Sequence, residues 1–440
     1  MSEAVPQIYD DHGIDAKKLD RNALKVVTTL KEAGFDAYLV GGCVRDLLAG
    51  TEPKDFDVAT NATPEEVKDL FRRSRLIGRR FPIAHVRFGR EIIEVSTFRQ
   101  GALENVETNA QGLIMKDHMF GSIVEDAFRR DFTINALYLD PDTNEIIDYV
   151  GGVEDLRNGT LQFIGEPYAR LSEDPVRMLR AIRFAAKLNL EMDRALTDLY
   201  DETAERLEAI PSARLFDEFL KMFVSGYGAK VWELLKDTPL VRSLFPSCNP
   251  SNPLVALAMR NTDARIAAEQ PVTPGFLIAV LLWDDFSQRY ERDNPRDKPD
   301  VSYELAMDTL AIQQQHIAVP RRFSIFAREV WLLQERLESR SAKFVKRTLD
   351  HKRFRAAFDF LVLRAESEEK LRPKANWWHD IQEEDSEGQE RMIAQLGKGS
   401  SKGSNKEKGK SRKRKRNSNS NQDQTSSPSG SSGPSGSNEY

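Results

Sequence analysis

Cysteine is nearly absent: only Cys43 and Cys248 occur in 440 residues. No disulfide framework can therefore organise the fold, and a reducing compartment, the cytoplasm, is expected. Histidine is sparse as well. His12, His85, His118, His316, His351 and His379 are scattered, and none stands at a zinc-like spacing from a cysteine or another histidine. No run of about 18 apolar residues occurs, which excludes a membrane-spanning helix. The opening residues, MSEAVPQIYDDHG, are acidic and lack the apolar core of a secretion signal. No internal repeat of fixed period is found.

What is present is length and unevenly placed charge. At 440 residues the chain is long enough for two or three domains and a large core. The net charge is −5, yet residues 397–440 carry ten Lys/Arg against three Asp/Glu, leaving −12 on the rest. An acidic body with a basic tail predicts a polyanionic partner met locally. The tail is dominated by Gly, Ser, Asn and Lys around the block Arg412-Lys413-Arg414-Lys415-Arg416. It cannot bury enough apolar surface to offset its ordering entropy, so disorder is expected. It acts either as a solubilising segment or as a salt-sensitive clamp on nucleic-acid phosphate.

The chain is organised around Leu39-Val40-Gly41-Gly42-Cys43-Val44-Arg45-Asp46, followed shortly by Asp55-Phe56-Asp57. This reads as strand, glycine turn, short helix, loop and strand. Two glycines permit a sharp turn and close approach of a ligand. Residues two apart on a strand share a face, which puts Asp55 and Asp57 side by side and Phe56 towards a core. Adjacent carboxylates repel unless neutralised, and a hard divalent cation such as Mg²⁺ neutralises them. Beside a turn that can accept phosphates, the pair points to metal-assisted phosphoryl transfer.

Other elements follow in order. Residues 1–15 read as a loose arm, and residues 16–33 as an amphipathic helix ended by Gly34. Thr63-Pro64-Glu65-Glu66 predicts a helix start with a capping box, and Ser122 with Glu125 predicts another. Residues 84–88 and 91–98 form a hairpin about Gly89-Arg90. Glu94 on its second strand either faces the Asp pair or is an exposed strand glutamate. Residues 100–120 read as a mobile loop. Arg129-Arg130-Asp131 leads into a further strand, where Asp131 either pairs with an arginine or joins the acidic site. Residues 148–165 alternate strand and turn signals. Asp174-Pro175 then starts a helix with Arg177, Arg180 and Arg183 on one face and Met178, Leu179, Ile182 and Ala186 on another. The arginines are either a solvated face or a phosphate and base clamp. Residues 190–396 read as helical, with a helix–turn–helix junction at 208–214 and Trp377-Trp378 as a core anchor.

With these motifs in view, the chain resembles the bacterial poly(A) polymerases of the class II nucleotidyltransferase group, which are related to the CCA-adding enzymes. LVGGCVRDLL, PKDFDVATNATPEEV, RRDFTINALY and EDPVRMLRAIRFAAKL occur in that family's order. LIGRRFPIAHVRFG, HKRFRAAFDFLVLRAE, the tandem tryptophans and the basic tail resemble the poly(A) branch. The resemblance implies an α+β fold: a nucleotidyltransferase palm with a mixed, mostly antiparallel sheet over 16–165, an all-α neck over 166–255 that selects the nucleotide and binds RNA, and a helical, RNA-binding body over 256–396. The basic tail follows over 397–440.

The resemblance also implies roles. Asp55 and Asp57 match the positions that bind catalytic magnesium, and Asp131 matches a third acidic position. Gly42, Arg45 and Arg130 match nucleotide contacts. Asp174, Arg177, Arg180 and Arg183 match the helix that reads the base and holds phosphates, with Asp174 and Arg177 as candidates for the adenine edge. Cys43 matches a small-residue position without chemistry. The implied activity is template-independent transfer of AMP from ATP to RNA 3′ ends, in mRNA polyadenylation and RNA decay. Two Mg²⁺ ions would serve the displacement. The alternatives are addition of C, C and A to transfer RNA, whose shared signatures are the same, and a non-catalytic RNA-binding protein. The expected partners are RNA 3′ ends and ATP, with the tail on RNA phosphate, and the expected state is a monomer.

Overall fold

The computed structural model describes residues 4–78, 82–100, 107–108, 114–116, 120–293 and 298–400. The chain divides into two units, residues 1–383 and 384–440. In the first unit the strands are β1 (Gln7–Tyr9), β2 (Ala37–Val40), β3 (Asp57–Thr60), β4 (Ser74–Ile77), β5 (Ile83–Phe88), β6 (Glu91–Thr97), β7 (Glu107–Thr108), β8 (Ile114–Lys116), β9 (Leu137–Asp140), β10 (Glu145–Asp148), β11 (Thr160–Leu161) and β12 (Glu191–Met192).

Eight of them make one sheet in the order β1-β10-β9-β2-β3-β6-β5-β4. Every pair is antiparallel except β3 with β6. The mixed, mostly antiparallel sheet is therefore present. Its rows explain both faces, because residues in register point the same way. One row runs Leu139, Leu39, Val58, Val95 and Ala84. These side chains are buried with Val26, Val27 and Leu30 of helix Arg21–Glu32 and Val44 of helix Gly42–Leu48. The next row runs Ile147, Tyr138, Val40, Asp57, Glu94, His85 and Arg75. Its apolar end packs with Phe98, Ala127 and Ile164. Its polar end is the other half of the same face.

After β11 the chain is helical apart from β12, which pairs with β11. Phe132 stacks on Phe163 at 4.9 Å and meets Phe184 edge-on at 5.5 Å. These rings join the end of the sheet region to one continuous apolar core that reaches Phe360 and Leu363. Met178, Leu179, Ile182 and Ala186 of helix Val176–Leu188 all lie in it. The helix–turn–helix junction is present, between helices Tyr200–Leu207 and Ser212–Phe223. Both capping boxes are complete, at Thr63 with Glu66 and at Ser122 with Glu125.

Several local expectations change. The N-terminal stretch supplies an edge strand, because Gln7, Ile8 and Tyr9 pair with Asp148, Ile147 and Ile146. Asp55 lies in a bend ahead of β3, so the Asp pair is not carried on one strand. A 3₁₀ turn, Thr133–Asn135, precedes β9 and delays that strand. Gly151-Gly152 opens helix Gly152–Asn158, and Gly152 packs so closely on Thr133 O that no Cβ fits there. The loop expected over 100–120 falls largely outside the described residues; β7 and β8 pair within it. Of the tandem tryptophans, Trp378 is the buried anchor, with Nε1 donating to Leu337 O at 2.8 Å, while Trp377 is half-buried.

In the second unit, helix Ser386–Ser400 runs past the expected boundary at 396. Asp385 starts it, accepting from Gly388 N at 2.8 Å. The tail expected to be disordered lies, from 401 onward, outside the described residues. Among the described residues no helix is long and apolar enough to cross a membrane.

Candidate active site

The glycine turn is built for close approach. Gly41 takes φ +72° and ψ −118°, a conformation left to glycine. A Cβ there would stand 3.2 Å from Arg130 Nη1 and 3.4 Å from Asn135 O. Gly41 N donates to Leu137 O at 3.0 Å, which fixes the turn to β9. Gly42 opens the short helix, and Arg45 on that helix is buried. Its Nη1 donates to Asn135 Oδ1 at 2.5 Å, and Nε and Nη2 donate to Asp46 Oδ1 at 2.9 and 2.6 Å. Asp46 also accepts from Lys187 Nζ at 2.8 Å. Arg45 thus faces partners within the protein and braces the turn. Burial pushes the Cys43 thiol up to about 11, which leaves it an inert core group.

The carboxylates gather at the polar end of the sheet row. Asp57 stands in register with Glu94 across the β3–β6 pair. Burial raises the Asp57 carboxyl to about 6; Glu94 and Asp55 add to the rise and Arg130 opposes it. Glu94 Oε1 lies 3.4 Å from His85 Nε2. Asp55 is exposed beside Asp57. Among the described residues no donor hydrogen-bonds the Asp55 or Asp57 carboxylate, and no three carboxylate, imidazole or thiol groups close into a metal cage. Hard oxygen donors that repel one another and lack donors fit Mg²⁺, which is commonly held by one or two carboxylates with substrate phosphate completing its shell. Of the two candidates for a third acid, Glu94 is the one placed beside Asp57.

Asp131 sits elsewhere in the same network. Its Oδ1 accepts from Phe132 N at 2.9 Å and Asn135 Nδ2 at 3.1 Å, and its Oδ2 pairs with Arg180 of the arginine helix. Arg130 is held from behind. Nε and Nη2 donate to Asp126 Oδ2 at 3.1 and 2.9 Å, and Nη1 donates to Asn135 O at 3.3 Å. The Tyr138 hydroxyl donates to the same Asp126 oxygen at 2.8 Å. Burial works against the Asp126 charge, yet Arg130 and Arg129 hold its carboxyl below the usual range.

The helical side supplies cations. Arg177 donates to Arg170 O and Glu173 Oε2, both at 2.6 Å. Arg170 Nη2 reaches back to Arg129 O at 2.8 Å. Asp174 accepts from Val176 N at 3.2 Å and, through its other oxygen, from Arg214 Nη2 at 2.5 Å. Arg183 stacks on Phe184 at 4.3 Å and faces Glu218 at 3.9 Å. Among the described residues, the buried Nε atoms of Arg170, Arg180 and Arg183 have no hydrogen-bond acceptor. Buried donors left unpaired are costly, and an anionic ligand would satisfy them.

Sequence reasoning did not find Asp126, Asn135, Tyr138, Arg170 or Arg214. Asp126 stands three and four residues before Arg129 and Arg130 on helix Ile123–Arg129, a spacing that signals an ion pair. Arg214 lies 40 residues from Asp174 and carries no local signal.

Comparison with known proteins bears on this geometry. Residues 37–162 match the Poly A polymerase head domain, 189–251 the Probable RNA and SrmB- binding site of polymerase A, and 296–419 the Polymerase A arginine-rich C-terminus. The chain is 42% identical over 408 residues to Poly(A) polymerase I of Escherichia coli O6:H1, covering 88% of each. It is 39% identical over 220 residues to a CCA-adding enzyme of Lactobacillus helveticus, covering 50% of this chain and 53% of that one. Its fold is similar to the Thermotoga maritima CCA-adding enzyme complexed with tRNA, with a TM-score of 0.60 at 21% identity, over 84% of this chain and 86% of that one. A sheet carrying paired carboxylates, an arginine helix and matches along most of the length agree: the chain belongs to the poly(A) polymerase family of nucleotidyltransferases.

Proposed function

We propose that the protein adds AMP from ATP to RNA 3′ ends without a template, in mRNA polyadenylation and RNA decay in the cytoplasm. The observation that carries the reading is the half-buried Asp57 carboxyl, in register with Glu94 and charge-coupled to Asp55 and Arg130. In-line attack by a 3′-hydroxyl on the α-phosphate requires charge to be offset at both the entering and leaving oxygens. Asp55 and Asp57 would hold Mg²⁺, which supplies that offset and lowers the pKa of the attacking hydroxyl. Arg130, locked by Asp126, stands ready for phosphate with no rearrangement. Arg180 and Arg183 present buried donors for the pyrophosphate end. Asp174 and Arg177 select the base, with Arg214 holding the Asp174 carboxylate in place. Positioning and electrostatics then supply the acceleration.

The longer sequence match to Poly(A) polymerase I favours adenylate over C, C and A addition, because the sequence match to the Lactobacillus helveticus CCA-adding enzyme spans half the chain. The test offers purified protein ATP alone, CTP alone and both, with a transfer-RNA end and a generic RNA. Long homopolymeric adenylate on either acceptor is expected. A stop after three nucleotides that requires CTP would replace this reading with CCA addition. Absence of Mg²⁺-dependent incorporation on any RNA would leave a binding protein.

A further inference from the structure

The helical body carries a second cluster of cations and rings, outside the site above. Arg336 and Arg340 stand one turn apart at the end of helix Arg321–Ser339, and Arg340 closes it with φ +47°. The Arg340 guanidinium lies 5.8 Å from the Trp377 ring centre, and that of Arg336 lies 5.9 Å from the Phe344 ring centre. Lys343 Nζ is 5.3 Å from the same Phe344 ring. Phe344 is 36% exposed and Trp377 is half-buried, although the core of this region is otherwise closed over Trp378 and Phe354.

The surrounding charge is one-sided. Residues 336–355 hold eight Lys/Arg and two Asp/Glu. Of the neighbouring acids, Glu338 pairs with Arg364, and Glu329 with Lys352 and Arg353. Among the described residues no carboxylate is within ion-pair distance of Arg336, Arg340 or Lys343. Their neighbours are aromatic faces.

A ligand that uses both features needs exposed planar groups and a chain of negative charge. An acidic peptide offers the charge without the planes. A duplex offers phosphates but hides the faces of its bases. A single strand of RNA offers both, with bases stacking on rings and phosphates meeting cations. We propose that Arg336, Arg340, Lys343, Phe344 and Trp377 form a binding site for single-stranded RNA on the body, separate from the carboxylate site. Phe344 and Trp377 are its stacking platforms and the three cations its phosphate partners. This rests on the reading that RNA is the acceptor.

The test uses the full chain and a labelled 15-nucleotide RNA of mixed sequence, single-stranded or as a duplex, with binding followed by fluorescence anisotropy across a salt series. Phe344→Ala and Trp377→Ala are each expected to weaken single-strand binding about tenfold, with the salt slope unchanged and duplex binding unaltered. Arg336→Gln with Arg340→Gln is expected to flatten the log–log salt slope by about 1.4, or ~0.7 for each phosphate that is no longer neutralised. Ring variants that bind the single strand like the parent, or lose duplex binding equally, overturn the inference. Trp377 touches Trp378, so a melting curve accompanies each variant; if Trp377→Ala unfolds, Phe344→Ala decides. A parent chain that incorporates AMP while the ring variants bind undiminished overturns this site alone. A parent that neither binds RNA nor incorporates AMP overturns the acceptor reading, and the site falls with it.

Discussion

Asp57 stands in register with Glu94, and its carboxyl holds a proton up to about pH 6. An elevated carboxyl pKa means that the folded state favours the protonated form. The associated stability is present below the ordinary carboxylate range and is lost as pH rises through about 6. In a chelator, Asp57→Asn should melt with the parent near pH 4 and above it at pH 7.5, by an amount on the order of 2 kcal/mol. A variant that melts below the parent at pH 7.5 would show that the carboxylate is better compensated than its neighbours suggest. The same proton competes with cation, so the Mg²⁺ concentration needed for half-maximal incorporation should rise as pH falls below 6. Asp55→Ala with Asp57→Ala should abolish incorporation while circular dichroism stays unchanged; residual activity in that variant contradicts the assignment. Asp126 is buried against Arg129 and Arg130, and removing it strands their charge. Asp126→Ala should cost about 3 kcal/mol in denaturant titrations. It should also lower kcat by freeing Arg130, an effect a purely structural salt bridge elsewhere would not have.

The glycine turn and the arginine helix are the elements that set the site, and the sequence revealed them unequally. Caps, hairpin and amphipathic faces are written within a few residues of one another, so Thr63 with Glu66, Ser122 with Glu125, the β5–β6 hairpin and the buried face of the arginine helix could be read directly. The β3–β6 pairing is parallel and joins residues 37 apart, so alternation offers Glu94 as a neighbour of Asp57 but does not choose between that place and an exposed strand position. Alternation places Asp55 on a strand, yet β3 begins only at Asp57. The strand 7–9 and the Asp174–Arg214 pair were hidden for the same reason: their partners are remote in sequence. At this scale Gly41→Ala is the sharp test. It forces a Cβ into a glycine-only conformation and towards Arg130, and should cost about 2 kcal/mol together with most of the incorporation rate. A variant as stable as the parent would mean that the turn relaxes.

Across the whole molecule, charge is divided between an acidic chain of 396 residues and a basic end. Deleting residues 397–440 should weaken RNA binding more at low salt than at high salt, measured by anisotropy, because counterion release scales with the number of phosphates neutralised. An unchanged slope would return the tail to a solubilising role. One ring gathers arginines from both the sheet region and the helical region. Phe184 of the arginine helix lies beneath Arg183 at 4.3 Å and Arg180 at 5.9 Å, and it also seats Arg45 of the glycine-turn helix at 4.9 Å. Asp46 ties the same two helices through Lys187. Modular exchange is therefore constrained. A chimera that joins this sheet region to a relative's helical region would inherit catalysis and base choice only if the incoming helix brings an aromatic at position 184 and a cation at 187.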